Sequence, residues 1–548
     1  MSSIEVLKFG SSVLRSSRDL GVAVDEIYRH WRAGARVLAV VSAFEGVTDR
    51  LMREAAQVFA DENSSATAAY VATGEQQTAA LLTGLLSGHG LPARLVDPRE
   101  IGLLAQGSNL DAQPRSLDTA SVAGLWREHP ILVLPGFYGI DAAGRISLFG
   151  RGGSDLSAVF LATLLQANCR LLKNVSGVFD SDPARDPSAR RYATISWRTA
   201  RDVAGPLIQP KALAYAEACA QVCTVGQPNE SFATQVGAAN DSWSDSIAPA
   251  AKPLRVALLG CGVVGRGVYD ALERYPDRFE VAHVIVREPG KHTDIAEVTS
   301  DSRLALEESI DIVVICFGGV TDARALIEQA LAAGKFVVTA NKAAVAALGA
   351  SLAVHARGPA RRLWYSASVG GALPALETLV NLRTRVREIR GIINGTCGVV
   401  LDAWAAGRTR EQAIAIAQAG GFAEADPERD LSGRDSADKL ALMIETAFGQ
   451  WRDPQSIATR GIDTLGDRPA GYKLIARARQ IDDGIHASVA PELPATESFL
   501  GGARGPENRL EIELECGSVI RLRGQGAGRD PTAISVLGDL HEIARGRF

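Results

Sequence analysis

The sequence predicts an α/β protein built from two successive α/β systems, the second a nucleotide-binding domain continued by an α+β domain. Three observations lead there. Short apolar runs alternate with helical periodicity in both halves, as parallel sheets require. A polar stretch without sustained periodicity separates the halves, and the second half opens on a strand, a glycine turn and a helix. A chain of 548 residues has room for three or four folding units. Its 46% hydrophobic and 22% charged content is that of ordinary globular cores. A net charge of −5 speaks against nucleic acid or an anionic membrane as partner and for small-molecule substrates. Runs of about 18 apolar residues are missing, and no basic-then-apolar segment follows Met1, so a cytoplasmic location is expected.

Seven cysteines (Cys169, Cys219, Cys223, Cys261, Cys316, Cys397, Cys516) are scattered without a CxxC or an adjacent histidine. Buried reduced thiols are expected, and no metal site. Cys219 and Cys223, four apart on what reads as a helix, are the one conceivable metal pair.

The first system spans residues 1–229. It opens on Val6-Leu7-Lys8-Phe9-Gly10, continues through Val40-Val41-Ser42-Ala43-Phe44-Glu45-Gly46-Val47-Thr48-Asp49, and carries Gly74-Glu75 and Phe149-Gly150-Arg151-Gly152-Gly153-Ser154-Asp155. In the last segment glycines open a helix N-terminus, and an arginine is placed to clamp a carboxylate in bidentate fashion. Together these segments resemble the catalytic domain of aspartokinases, members of the amino-acid kinase fold. The resemblance implies a kinase-like site of Lys8, Gly10, Ser42, Glu75, Arg151, Gly153, Ser154 and Asp155, with ATP and Mg as cofactors only if the domain is an active kinase. The nucleotide side departs from the family. Its "KFGGTS" loop reads Lys8-Phe9-Gly10-Ser11-Ser12, its "WTDVDGVYTADPR" reads Leu172-Lys173-Asn174-Val175-Ser176-Gly177-Val178-Phe179-Asp180-Ser181-Asp182-Pro183-Ala184, and its "GAKVLHP" reads Gly205-Pro206-Leu207-Ile208-Gln209-Pro210, without the lysine. Phosphoryl transfer rests on positioning and charge stabilisation, so lost glycine and cation contacts should be costly. Two readings stay open: a degenerate module serving folding or oligomerisation, and a working kinase with altered ATP contacts.

Residues 230–253, rich in Ser, Asn, Asp, Ala and Pro, read as a linker. It is too short for the paired regulatory domains that bifunctional relatives usually insert there.

A nucleotide-binding domain is expected over 254–390. Leu254 to Leu259 is a strand running into Gly260-Cys261-Gly262-Val263-Val264-Gly265 and a helix to Arg274. In this Rossmann arrangement the first glycine permits the turn, the second lets a pyrophosphate approach the backbone, and the third lets helix and strand pack closely. Further strands are read at Val281 to Val286, at Ile312 to Cys316 ahead of Phe317-Gly318-Gly319, and at Lys335 to Thr339. The second strand ends in Arg287-Glu288 with Lys291 close behind, where NAD enzymes usually place an acidic residue on the ribose. Arg287 favours the 2′-phosphate of NADP, while Glu288 keeps NAD open; a solvated loop arginine is the plain alternative.

A catalytic and substrate domain is expected over 391–529, with 530–548 a helix returning to the nucleotide domain. Ala333 to Lys342 (AGKFVVTANK), Ser368 to Pro374 (SVGGALP), Gly391 to Thr396 (GIINGT), Gly421 to Pro427 followed by Asp430, Gly433, Asp435 and Lys439, and Gly524 to Gly528 followed by Asp530-Pro531-Thr532-Ala533 form an ordered series. Leu254 to Phe548 resembles the homoserine dehydrogenases along this whole series. The resemblance implies NAD(P)-dependent interconversion of L-aspartate-4-semialdehyde and L-homoserine, and a homo-oligomer, dimer or tetramer. It assigns Lys342 and Lys439 to catalysis and Glu424, Asp430, Asp435, Gly395 and Thr396 to the substrate. It gives Gly260, Gly262, Val263, Val264, Gly265, Arg287, Lys291, Gly318, Asn341 and Gly526 to the cofactor. The chemistry wants the same residue types: a cationic proton donor where charge develops on the carbonyl oxygen, and carboxylates for the α-ammonium. Taken alone, Asp435 and Lys439 are an i,i+4 pair of the kind common on helix surfaces. Many members hold a monovalent cation through a glutamate where this chain has Ser366, which argues against that ion here.

Overall fold

The computed structural model describes residues 3–546 apart from 62, 187, 206, 231, 245–251, 359–360, 383–384, 425, 467–468 and 483. Positions Pro206 and Ala425 of the motifs above, and 231 and 245–251 of the expected linker, lie outside the described residues. The chain divides into two compact units, Met1–Ser87 with Pro92–Ala250, and Ala251–Phe548 with Gly88–Leu91.

In the first unit a nine-stranded sheet runs in the spatial order Ser242–Trp243, Tyr192–Ile195, Ala233–Val236, Cys223–Gly226, Asn168–Leu172, Ile4–Phe9, Arg36–Val41, Ile131–Pro135, Ala93–Leu95. Its centre is parallel, with Ile4–Phe9 between Asn168–Leu172 and Arg36–Val41. Strands covered on both faces must be apolar throughout, and in the segment RVLAVV every residue after Arg36 is buried. The helix Gly153–Leu165 packs against these central strands and is buried on all sides along its first three turns.

The expected linker is shorter than 230–253. Ala233–Val236 and Ser242–Trp243 are strands of this sheet. Two local features made them invisible to apolar periodicity. Buried Thr234 substitutes hydrogen bonds for apolar contact, accepting from Val178 N at 2.8 Å and donating to Tyr192 O at 2.7 Å. Trp243 is held at the sheet edge by stacking on Tyr192, with ring centroids 4.0 Å apart. Cys219 and Cys223 also share no helix: Cys219 caps the helix Pro210–Ala218, and Cys223 begins a strand in register with Cys169.

In the second unit six parallel strands lie in the order Val298–Thr299, Phe279–Ile285, Leu254–Leu259, Ile312–Ile315, Phe336–Thr339, Leu363–Trp364. Connections leaving the Leu254–Leu259 strand and its neighbours therefore gather at the carboxyl edge, where such sheets bind ligands. A second six-stranded sheet, antiparallel but for one edge pair, has the order Ala458–Thr459, Gly484–Glu492, Lys473–Ile481, Val386–Ile392, Glu507–Leu514, Val519–Gln525. The Val386–Ile392 strand sits in its middle, so the boundary expected after 390 falls inside a strand. Charged residues between Val386 and Ile389 mark a half-buried antiparallel strand, which broke the apolar run. One hydrophobic core continues from the parallel sheet through the helices Gly395–Ala405 and Arg434–Phe448. The helix Arg529–Gly546 packs on Val263–Leu272. They approach closely because residue 267 is glycine: a Cβ there would lie 3.0 Å from Arg529 Cγ and 3.1 Å from Ala533 Cβ.

Candidate active site

The glycine turn after Leu259 has the geometry its spacing predicts. Gly260 has φ +88°, and a Cβ on it would lie 2.9 Å from that of Phe317. A Cβ on Gly265 would run into the carbonyl oxygen of Gly260, so only glycine lets the helix Val263–Leu272 start this close to the strand. Around Gly262 nothing approaches within 4 Å of the Cβ position, and Val263 is exposed while Val264 is partly so. The free space lies where a pyrophosphate must approach the helix N-terminus, so the turn fits a dinucleotide.

At the end of the next strand, Arg287 is exposed and makes no ion pair among the described residues, whereas Lys291 pairs with Glu288 at 2.8 Å. Gly318 lies exposed on the same edge. Asn341 ties this edge together. Its Nδ2 donates to Phe317 O at 3.0 Å and Gly319 O at 2.7 Å, and its Oδ1 accepts from Ala344 N at 3.0 Å, capping the helix Lys342–Ala346. Gly526 lies against the turn at Gly370 and Gly371: a Cβ on Gly371 would be 2.9 Å from Gly526 O.

Lys342 therefore leaves the carboxyl edge of the parallel sheet and meets the second subdomain. Its Nζ is 2.6 Å from Asp435 Oδ1, and Lys439 Nζ is 2.7 Å from Asp435 Oδ2. Lys439 also donates to Ile393 O at 2.8 Å. Asn394 completes the cluster, capping the helix Gly395–Ala405 through Cys397 N while its Nδ2 donates to Asp430 Oδ1 at 2.7 Å and Asp435 Oδ2 at 2.8 Å. Leu440, Met443, Ile444 and Ala447 of the Arg434–Phe448 helix are fully buried, which holds Asp435 and Lys439 inward. The ion pair is therefore no surface salt bridge, since both side chains are nearly buried.

The electrostatics follow from crowding. Burial alone would raise the Asp435 carboxyl, but the ammoniums of Lys439 and Lys342 hold it well below the usual carboxylate range. The same attraction raises Lys342 above an ordinary lysine, so it stays protonated. Burial and the neighbouring Asp435 charge push Asp430 up. Asp438, one turn along the helix, is raised by burial and pairs with Arg429 at 2.6 Å. No motif singles out Asp438, although its i,i+3 spacing from Asp435 places it on the same face. Thr396 donates to Phe422 O, tying the Gly421 segment to the helix start, and Gly395 leaves space for Pro506 O, 3.0 Å from a Cβ placed there. Glu424 is not part of the cluster: its side chain is exposed, and its backbone carbonyl accepts from Gln418 at 3.1 Å. Phe422 and Ala423 just before it pack against the core, and the chain turns Glu424 outward after them. Ser366 donates to buried Asp539 at 2.7 Å, so its hydroxyl is engaged within the protein.

In the first unit Lys8 Nζ lies 2.7 Å from Asp155 Oδ1 and sits over Gly10, and Ser42 and Ser154 share a hydrogen bond of 2.8 Å. Glu75 is buried and Gly153 starts the helix behind Asp155, whereas Arg151 is exposed and outside the cluster. Lys173, which lies in a segment that departs from the family pattern, reaches Asp155 at 3.1 Å.

Three family models match this chain: the amino acid kinase family over residues 3–228, the homoserine dehydrogenase NAD binding domain over 260–366, and homoserine dehydrogenase over 374–541. A homoserine dehydrogenase of Pseudomonas aeruginosa is 33% identical over 316 residues, covering 54% of this chain and 73% of the relative. One of Lactococcus lactis is 32% identical, covering 53% and 74%. Among solved structures, a homoserine dehydrogenase from Thiobacillus denitrificans is similar with TM-score 0.51 at 32% identity, over 54% of this chain and 74% of that one.

Proposed function

Because this chain belongs to the homoserine dehydrogenase family, we propose that its second unit interconverts L-homoserine and L-aspartate-4-semialdehyde at the Asp435 cluster, with NADP preferred. The observation that carries this is the convergence of Lys342 and Lys439 on Asp435 at the sheet edge that also bears the glycine turn. Gly260, Gly262, Val263, Val264 and Gly265 would hold the pyrophosphate, with Gly318, Asn341 and Gly526 beside them. Arg287 would meet the 2′-phosphate, since Lys291 already engages the competing carboxylate of Glu288. When bound, the nicotinamide exchanges a hydride with the substrate carbon.

The chain's own residues do the rest. Lys439, oriented by Asp435 and Ile393 O, donates a proton to the nascent alkoxide in the reducing direction and recovers it in the other. Lys342 adds fixed positive charge beside the developing oxyanion. Asp430 is the carboxylate best placed for the substrate ammonium, because among the described residues Asn394 is the one hydrogen-bond donor to its side chain, which leaves it partly open; Glu424 would join only by an inward turn of its loop. In the same reading the chain comprises a kinase-like domain, a dinucleotide domain, a catalytic domain and a returning helix, and works as a cytoplasmic homo-oligomer. No helix among the described residues is long and apolar enough to cross a membrane.

Purified protein should oxidise L-homoserine with NADP, and Gly262→Asp should abolish turnover by placing a carboxylate where pyrophosphate lies. The open space at Gly262 means that this variant should still fold. Full turnover in Gly262→Asp would overturn the cofactor assignment.

A further inference from the structure

We propose that the ion pair between Arg429 and Asp438 positions Asp430 for the substrate, making both residues determinants of substrate affinity that take no part in the chemistry; the inference rests on Asp430 meeting the substrate ammonium. Asp430 lies on the helix Glu428–Leu431, four residues long and without a side-chain cap at its start. A helix this short cannot hold itself by internal hydrogen bonds, so its place is set by what its side chains grip. Leu431 is buried in the hydrophobic core. Asp430 accepts from Asn394 through its carboxylate at 2.7 Å and from the Cys397 thiol through its carbonyl oxygen at 3.1 Å. Arg429 reaches the helix Arg434–Phe448 instead, its Nη2 lying 2.6 Å from Asp438 Oδ2. The carboxylate of this pair is nearly buried and the guanidinium largely exposed.

The pair answers a repulsion built into the site. Three carboxyls converge here, Asp430 on the short helix and Asp435 and Asp438 on the long one. Asn394 Nδ2 donates to Asp430 at 2.7 Å and to Asp435 at 2.8 Å, so those two lie side by side. Burial and then the Asp435 charge push Asp430 up, and Asp438 feels Asp435 in the same way. Like charges so close push the short helix away from the long one. Arg429 is the only cation of the short helix and adjoins Asp430 in the chain. Its charge-assisted bond to Asp438 draws the short helix onto the face that repels Asp430, one turn beyond Asp435. An exposed guanidinium adds little to overall stability. What it fixes is the place of the neighbouring carboxylate, and a contact made to the substrate ammonium in ground and transition states alike shows itself in KM.

The test is steady-state kinetics of the full-length protein with L-homoserine and NADP, with thermal melts to confirm folding. Arg429→Met and Asp438→Asn should each raise KM for homoserine roughly three- to thirtyfold, while kcat and KM for NADP change by less than about twofold. Arg429→Lys should keep most of the affinity. The reversed pair, Arg429→Asp together with Asp438→Arg, should recover much of what either single change loses, which a role in packing alone would not allow. Arg429→Met should fold because its side chain is largely exposed, and it carries the test if Asp438→Asn does not fold. Unchanged KM in Arg429→Met, a kcat that falls as far as kcat/KM, or a reversed pair no better than the single variants would overturn the inference while wild-type turnover of homoserine stands. A wild type that does not oxidise homoserine would instead overturn the assignment of the Asp435 cluster, and this inference with it.

Discussion

Asp155 and Asp435 sit in matching electrostatic situations in different units of the chain, each a buried carboxylate clasped by two lysines, yet their surroundings differ in the sign of what remains. Around Asp155, the buried carboxyl of Glu75 also feels Lys8 but is pushed by burial up to about 8, so among the described residues of this cluster positive charge is left over at neutral pH. Around Asp435 two further carboxyls, Asp430 and Asp438, press on the cluster, and Lys342 is about one-third exposed. The first arrangement leaves a surplus of positive charge, and in the second the outlying carboxyls offset it. A two-lysine clasp therefore does not define a ligand; the protonation and number of the outlying carboxyls do.

The largest effect that can break this comparison is on turnover. Lys439→Ala should lower kcat for homoserine oxidation by roughly 10²–10⁴ while cofactor affinity hardly moves, because its proton is needed chiefly in the transition state. Near-normal kcat in a folded, cofactor-binding variant would reduce the Asp435 pair to a structural one and leave Lys342 as the acid.

The next effect is on pH dependence, where the outlying carboxyls should act in opposite senses to the clasped ones. Glu75 has a folded value of about 8 against 4.5 in the unfolded chain, so the native state holds the extra proton between them. Its contribution to stability is complete below the unfolded value and falls away as pH rises towards about 8. Glu75→Gln removes that decline and should stabilise the protein by roughly 3 kcal/mol at pH 7 and by little at about pH 4. Asp155 and Asp435 lie below their ordinary value, so their stabilisation is present above that value and is lost as pH falls through the folded one. Urea unfolding of wild type and Glu75→Gln at about pH 4 and 7 measures the difference; parallel curves would mean Glu75 is ionised in the fold and the charge excess is gone.

The smallest effect sharpens the comparison by asking where the second unit recognises an anion at all. Arg287→Ala should weaken NADP binding by roughly three- to a hundredfold and leave NAD nearly unchanged, since only NADP carries the 2′-phosphate. Fluorescence titration with both cofactors gives the ratio, and equal losses would make Arg287 a bystander.

Much of the second unit is legible in its amino-acid sequence. Apolar runs of period-free valine and isoleucine announce parallel strands, and the demands on Gly260 and Gly265 are local, set by φ and by the carbonyl one turn away. The helix bearing Asp435 and Lys439 follows from apolar spacing, which also aims both residues at the core. Other features depend on contacts between distant segments. Asp438 joins the Asp435 cluster through a spacing that no motif marks, whereas Glu424 stays outside that cluster, and Arg151 outside the one around Asp155, through packing that no spacing specifies. Thr234 turns an apparent linker into a strand because partners at 178 and 192 satisfy its hydroxyl. Lys173 is the sharpest case. Its identity and its place after an apolar strand are plain in the sequence, but its role is set by strand order. The Asn168–Leu172 strand pairs next to Ile4–Phe9, and only that register brings a second ammonium onto Asp155. Local backbone geometry and burial patterns are written in neighbouring residues, whereas the charge of a site is a sum over side chains far apart in the chain and becomes definite only when the fold brings them together.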